Sequence, residues 1–242
     1  MKIAILTTET THHAHFVREI VAHYPDVRVI CETKALQPPF DTRHDFETQR
    51  DAFERDHWFN GKDAKIAEFA PTKMVESANA ADGVAALADI GADIAVVFGT
   101  GKLSSALIGR GPRVFLNLHG GDPEEYRGLD THLWAIYHGD FAGLVTTLHR
   151  INADLDDGDI CLQESLALQP GMPLHQLRSV NTQACVRLFL AALGAFSNND
   201  DVPSRQQRAR GRYYSFMPAV LKEVCVGRFA KHTGGLGKRT PQ

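Results

Sequence analysis

The chain has 242 residues, enough for one large domain or one domain with a small appendage. Hydrophobic residues make up 43% and charged residues 23%, the balance of an ordinary globular protein with material for a core. A net charge of -3 and a pI near 6.4 give no field to gather nucleic acid or an anionic membrane, and no unbroken apolar run approaches the roughly 20 residues that cross a bilayer.

Lys2–Thr7 is a short apolar run that reads as a first buried strand, so no secretory leader is expected. Helical spacing over His15–Tyr24 and a β-branched run over Val27–Cys31 follow. The stretch 35–70 breaks this rhythm. Pro38-Pro39 opens a charged segment containing Phe46, Phe53, Trp58 and Phe59, which predicts one or two inserted surface helices whose aromatics pack downward. Ala80–Leu87 is predicted helical with Asn79 as N-cap, and Asp93–Phe98 and Arg113–Asn117 as buried strands. Short apolar strands separated by helices imply an α/β fold with an open, mostly parallel, Rossmann-like sheet flanked by helices.

Beyond Asn117 the pattern changes. Thr131–His138 is predicted helical, capped by Asp130 or Thr131. Leu144–Ile151 and Ile160–Leu168 alternate around a turn over 152–159 and so predict a β-hairpin. A long helical stretch over Pro173–Phe196 ends at Asn198-Asn199-Asp200-Asp201, which marks the end of the compact unit. Arg205–Arg212 is basic and Tyr213–Leu221 amphiphilic, and the tail from Lys231 to Gln242 is expected to be disordered at its end. Cys31, Cys161, Cys185 and Cys225 have no paired spacing and are expected to be reduced thiols of a cytoplasmic protein.

Asn117 and His119 alternate off the end of an apolar strand, so their side chains share a face. The carboxyl ends of parallel strands are where ligands bind in open sheets, and Gly120-Gly121 permits close backbone approach. Asp156, in the hairpin turn, can fold over that strand end. An amide to hold an oxyanion, an imidazole to move a proton and a carboxylate to orient it make the set that acyl transfer to an amine requires.

The block around these residues resembles the formyltransferase family, the enzymes that use 10-formyltetrahydrofolate. The family pattern is a strand ending Asn-x-His, a loop with Pro, Arg-Gly, a helix with Trp-Ala-Ile and a hairpin turn Leu-Asp-x-Gly-Asp. Here it runs Asn117-Leu118-His119, Pro123, Arg127-Gly128, Trp134-Ala135-Ile136 and Leu155-Asp156-Asp157-Gly158-Asp159. The resemblance covers about the first 200 residues and is specific over about 98–160. It implies Asn117, His119 and Asp156 as catalytic residues. It also implies Phe98-Gly99-Thr100-Gly101-Lys102-Leu103 as the cradle of the folate pterin, with Asp154, Leu155 and Asp157 on the opposite wall. One departure is Gly120-Gly121-Asp122-Pro123, where the family usually has Pro-Ser-Leu-Leu-Pro, so the acceptor-side wall differs.

The family divides by acceptor. Thr7-Thr8-Glu9-Thr10-Thr11-His12-His13 lacks the glycines of a phosphate nest, which argues against a glycinamide ribonucleotide acceptor. Only about forty residues follow the long helix, too few for the basic module of methionyl-tRNA formyltransferases. The resemblance therefore points to the small nucleotide-sugar N-formyltransferases that serve cell-surface glycans, with a formyltetrahydrofolate hydrolase or another amine carrier as alternatives. A sensor that binds without turnover is a third class, against which the intact trio argues. Thr10, His12, His13, Tyr126 and Arg127 are the expected acceptor-binding residues. The implied organisation is a catalytic domain over 1–200 and a short extension over 201–242, with a homodimer left open.

Three other motifs carry weaker signals. His12-His13-x-His15 is not expected to hold a metal, because no companion ligand lies at suitable spacing. The four arginines of 205–212 lack interleaved aromatics, so a solvated face or a diphosphate contact is expected rather than nucleic acid. Gly99-x-Gly101-Lys102 has neither the third glycine of a dinucleotide fingerprint nor the spacing of a P-loop.

Overall fold

The computed structural model describes residues 1–34, 36–152 and 156–236. The chain runs β1 (Ile3–Thr8), α1 (Thr11–His23), β2 (Val27–Glu32), α2 (Asp45–Phe59), β3 (Thr72–Val75), α3 (Ala81–Ile90), β4 (Ile94–Phe98), α4 (Ser105–Ile108) and β5 (Val114–His119). It continues through β6 (Tyr126–Gly128), α5 (Thr131–His138), β7 (Val145–Arg150), β8 (Ile160–Ser165), α6 (Leu177–Asn199), β9 (Arg212–Tyr214) and α7 (Ala219–Gly235).

Seven strands form one sheet in the order β3-β2-β1-β4-β5-β7-β8. The first five are parallel, and β7 and β8 add an antiparallel hairpin beyond β5. Ile3, Ile5, Ile94 and Val96 are fully buried against one helical layer with Phe16, Val17, Phe189 and Leu193 of α1 and α6. Ala4, Leu6, Ala95 and Val97 face the other layer, with Leu87 and Leu107 of α3 and α4. Alternate residues of one strand thus enter different cores, and a sheet covered on both faces needs strands that are apolar throughout. The stretch Leu174–Asn199 is long and apolar enough to cross a membrane by length and composition. Its apolar side chains Leu188, Phe189 and Leu193 are committed to the core instead.

Four local features change or add to the expectations. α1 begins at Thr11 rather than His15, because the Thr10 hydroxyl caps it by accepting the His13 N–H at 3.3 Å. β3 is an edge strand with Met74 and Lys73 exposed, too short and mixed to show an apolar signal. Ala80, not Asn79, occupies the α3 N-cap position. The Asn79 amide donates to the Lys102 carbonyl at 2.9 Å and accepts the Ser104 N–H at 2.7 Å, so it pins the loop after β4. Asp130 occupies the α5 N-cap position as expected, in the left-handed region, but its carboxylate accepts the Met217 N–H rather than a helix N–H.

Residues 205–235 fold back on the body. α7 places Cys225 and Phe229 in a second core with Ile136, Leu174 and Phe46 of the 35–70 insertion. Lys222, 2% exposed, donates to the Thr42 carbonyl at 2.6 Å and pairs with Glu47 at 2.9 Å, locking α7 to the start of α2. Trp58 and Phe59 pack into the main core as expected of the insertion. Residues 237–242, which hold the end of the expected tail, lie outside the described residues.

Candidate active site

Strand order reverses direction between β1 and β4, the place where the carboxyl ends of parallel strands open a crevice. The chain after β1, the loop after β4 and the end of β5 meet there around a cavity of about 530 Å³. That volume is in the range of small-molecule sites.

Asn117 and His119 reach the cavity from the end of β5. β7 pairs antiparallel with β5 so that His149 lies directly opposite Asn117. The hairpin then returns Asp156 to the same point. Asp156 Oδ1 is 3.7 Å from His119 Nδ1, 3.6 Å from His149 Nε2 and 3.5 Å from Asn117 Nδ2. His119, His149 and Asp156 are all buried. His149 was not singled out in the sequence. Its position follows from the β5–β7 register, which no local pattern encodes.

Hydrogen bonds fix the protonation pattern. A carbonyl only accepts, so His119 donates through Nε2 to the Tyr126 carbonyl at 2.8 Å and Nδ1 is left bare toward Asp156. The Tyr126 carbonyl, rather than Asp156, therefore sets the tautomer. His149 donates through Nδ1 to the Arg150 carbonyl at 2.8 Å and accepts the Asn117 amide at Nε2, at 3.0 Å. Asn117 Nδ2 spends one hydrogen on that bond. Asp156 Oδ2 accepts the Gly128 N–H at 2.8 Å.

Burial lowers the His119 pKa below 6.5 and outweighs the opposing pull of Asp156, so the ring is neutral at neutral pH. Burial pushes the Asp156 carboxyl up. Attraction to His119, the His149 contact and the Gly128 N–H more than offset it and bring the group down to about 2.

Of the other expected residues, Phe98, Gly99, Thr100, Gly101, Lys102, Leu103, His12 and His13 line the cavity. Burial holds His13 near 3 despite the Thr8 carbonyl that accepts its Nδ1 hydrogen at 2.9 Å, and His13 Nε2 is buried with no partner among the described residues. Thr10 is not on the cavity wall, because its hydroxyl is the helix cap. Tyr126 and Arg127 are not on it either. The Tyr126 ring stacks on Tyr214 and its hydroxyl donates to Asp140 at 3.1 Å, while Arg127, 6% exposed, lies 3.9 Å from Asp157. Asp157 faces Arg127 and Arg210 rather than the cavity. Asp154 and Leu155 lie outside the described residues. Two lining residues come from the C-terminal segment: Tyr213, 58% exposed, and Phe216. Among the described residues no three His, Cys, Asp or Glu are grouped to hold a metal ion.

An open α/β sheet with an amide, two imidazoles and a carboxylate converging at the carboxyl end of its central strands defines an enzyme-like site for a small molecule. The family model described as formyl transferase matches residues 1–193, so the chain belongs to the formyltransferase family. Among curated relatives, the methionyl-tRNA formyltransferase of Deinococcus radiodurans is 30% identical over 151 residues, 62% of this chain and 46% of that protein. That of Agathobacter rectalis is 31% identical over 126 residues, 50% of this chain and 39% of that protein. The chain thus spans less than half the length of these relatives.

Among solved structures, a sugar N-formyltransferase from a Shewanella species superposes with a TM-score of 0.61 at 15% identity, covering 94% of this chain and 87% of that one. An N-formyltransferase from Helicobacter canadensis, in complex with folinic acid and dTDP-3-aminofucose, gives 0.60 at 14% identity, covering 89% and 71%. At such identities the likeness is one of fold.

Proposed function

We propose that the chain transfers a formyl group from 10-formyltetrahydrofolate to the primary amine of a nucleotide-linked amino sugar. The observation that carries the chemistry is the convergence of Asn117 and His119 on Asp156, at 3.5 and 3.7 Å, at one end of the cavity. The apolar surfaces of Val97, Leu103 and Ile151, with the backbone of 99–102, suit a flat pteridine, and the bare His13 Nε2 supplies an acceptor for a ligand N–H.

The co-substrate supplies the formyl carbon, which the acceptor amine attacks. The Asn117 amide hydrogen that makes the longer contact, to Asp156 Oδ1 at 3.5 Å, turns to the oxygen as the carbonyl becomes tetrahedral, in a buried setting where such a donor counts for most. Neutral His119 takes the amine's proton at Nδ1, and Asp156 steadies the resulting imidazolium before the proton reaches the departing nitrogen. Asn117→Ala and His119→Ala are each expected to cost at least about a hundredfold in turnover.

For the acceptor, the supporting feature is the mouth, where Tyr213 and Phe216 offer aromatic faces to a sugar or base ring. The sugar N-formyltransferases of the same fold support this reading. The four cysteines, all unpaired, fit a reducing cytoplasm. A second reading, a methionyl-tRNA acceptor, is favoured by the curated relatives. Tetrahydrofolate release, followed optically with amino-sugar nucleotides, with charged initiator tRNA and with no acceptor, separates the readings. Release without acceptor means hydrolysis, and binding without release means a sensor.

A further inference from the structure

The family match ends at residue 193, yet a later segment reaches the polar cluster. We infer that Gln207 is a positioning residue that holds Asp156 in its working place. This rests on the proposed role of Asp156.

Asp156 has φ 52°, in the left-handed region that few residues other than glycine, asparagine and aspartate adopt, and neighbouring contacts hold the turn there. Gln207 Nε2 donates to the Asp156 carbonyl at 2.9 Å and to the Gly158 carbonyl at 2.9 Å. Both amide hydrogens are consumed, one on each side of the residue that follows Asp156. A turn held at two carbonyls has little freedom to swing its carboxylate. On the far side of Asp156, the Gly128 N–H holds Oδ2.

Gln207 is itself anchored. Arg205 exchanges backbone hydrogen bonds with Ile160 at 2.8 and 2.9 Å, and its guanidinium grips the Glu124 carboxylate with contacts of 2.9 and 2.8 Å. Gly211 N–H donates to the Pro123 carbonyl at 3.1 Å and Arg212 N–H to the Glu125 carbonyl at 3.0 Å, after which β9 pairs with β6. The loop so gripped, 122–128, supplies the Tyr126 carbonyl that sets the His119 tautomer and the Gly128 N–H that holds Asp156. Segment 205–214 therefore ties the turn of Asp156 to the loop that orients His119. Gln207 is its contact with the turn.

A structural staple would lower stability without acting through Asp156, so the test separates the two. Gln207→Ala is expected to lower kcat roughly 10–100-fold with KM for both substrates little changed, the effect of displacing a reacting group by a fraction of an ångström. In an Asp156→Asn background the same substitution is expected to change kcat less than about twofold, because a residue that acts through Asp156 has nothing left to position. Gln207→Glu gives an independent readout. An ionised carboxylate cannot donate to the two carbonyls, so at pH 7.5 this variant is expected to lose kcat at least as far as Gln207→Ala with KM little changed.

Parent-like kcat in Gln207→Ala overturns the inference, as does an equal loss in both backgrounds or a loss confined to KM or melting temperature. Full turnover in Asp156→Asn alone overturns instead the reading on which it rests, so the two failures are told apart.

Discussion

Asp156→Asn removes a charge and little else. Asparagine tolerates the left-handed backbone at φ 52° and keeps an oxygen for the Gly128 N–H, so the turn stays intact. What disappears is the attraction between a carboxylate and an imidazolium formed at His119, 3.7 Å away. At an effective dielectric near 20 that attraction is about 4 kcal/mol, which corresponds to roughly a thousandfold in rate. In the resting state His119 is neutral, so binding gains nothing from the charge and KM is expected to change little. Stability also falls. The ionised carboxyl contributes stability that is present above its unfolded pKa of about 3.9 and lost as pH falls toward 2. The assay is steady-state formation of tetrahydrofolate at 25 °C, with circular dichroism confirming the fold. A kcat within tenfold of the parent in a folded variant would refute the reasoning, because it would mean that no positive charge forms beside Asp156.

Three further outcomes are expected. Because burial holds His119 below 6.5 and its neutral form is the active one, kcat/KM is expected to hold to below that pH and then fall, and a midpoint at or above 6.5 would contradict this. Gly158→Ala is expected to cost about 2–3 kcal/mol and to lower the melting temperature by roughly 5–10 °C, since an added Cβ would sit 1.7 Å from the Arg150 carbonyl oxygen; an unchanged melting temperature would count against the turn geometry. Burial holds His13 near 3 and His15 near 4, whereas both titrate near 6.5 once unfolded. Folded pKa values depressed in this way contribute stability that is present above pH 6.5 and lost as pH falls. Each residue is expected to cost about 2 kcal/mol between pH 7.5 and pH 5, read as a denaturant midpoint, and His13→Gln is expected to flatten that dependence.

What was legible in the sequence follows from how local each signal is. Asn117 and His119 stand two apart at the end of an apolar strand, and strand alternation alone puts them on one face. Asp156 was visible because its turn motif carries Gly158, whose lack of a side chain the close Arg150 backbone requires. His149 was hidden, since only the long-range register of β7 against β5 makes it Asn117's partner. Asn79 looked like a cap because its type favours one, but tertiary bonds to the 102–104 loop recruited it. Tyr126 and Arg127 looked like acceptor contacts through their place in the motif, yet packing turned the Tyr126 ring toward Tyr214 and Asp140. β6 and β9 are three residues each, so their pairing lies beyond any periodicity. α7 has mixed polarity and carries glycines, and its helix depends on burying Cys225 and Phe229.

The most direct measurement is tetrahydrofolate release from 10-formyltetrahydrofolate, run in parallel with mass analysis of an added amino-sugar nucleotide. The account predicts that release depends on that acceptor, that the acceptor gains one formyl group per tetrahydrofolate formed, and that His119→Ala abolishes both. Release at the same rate with no acceptor present, or an unmodified acceptor alongside full release, would contradict it.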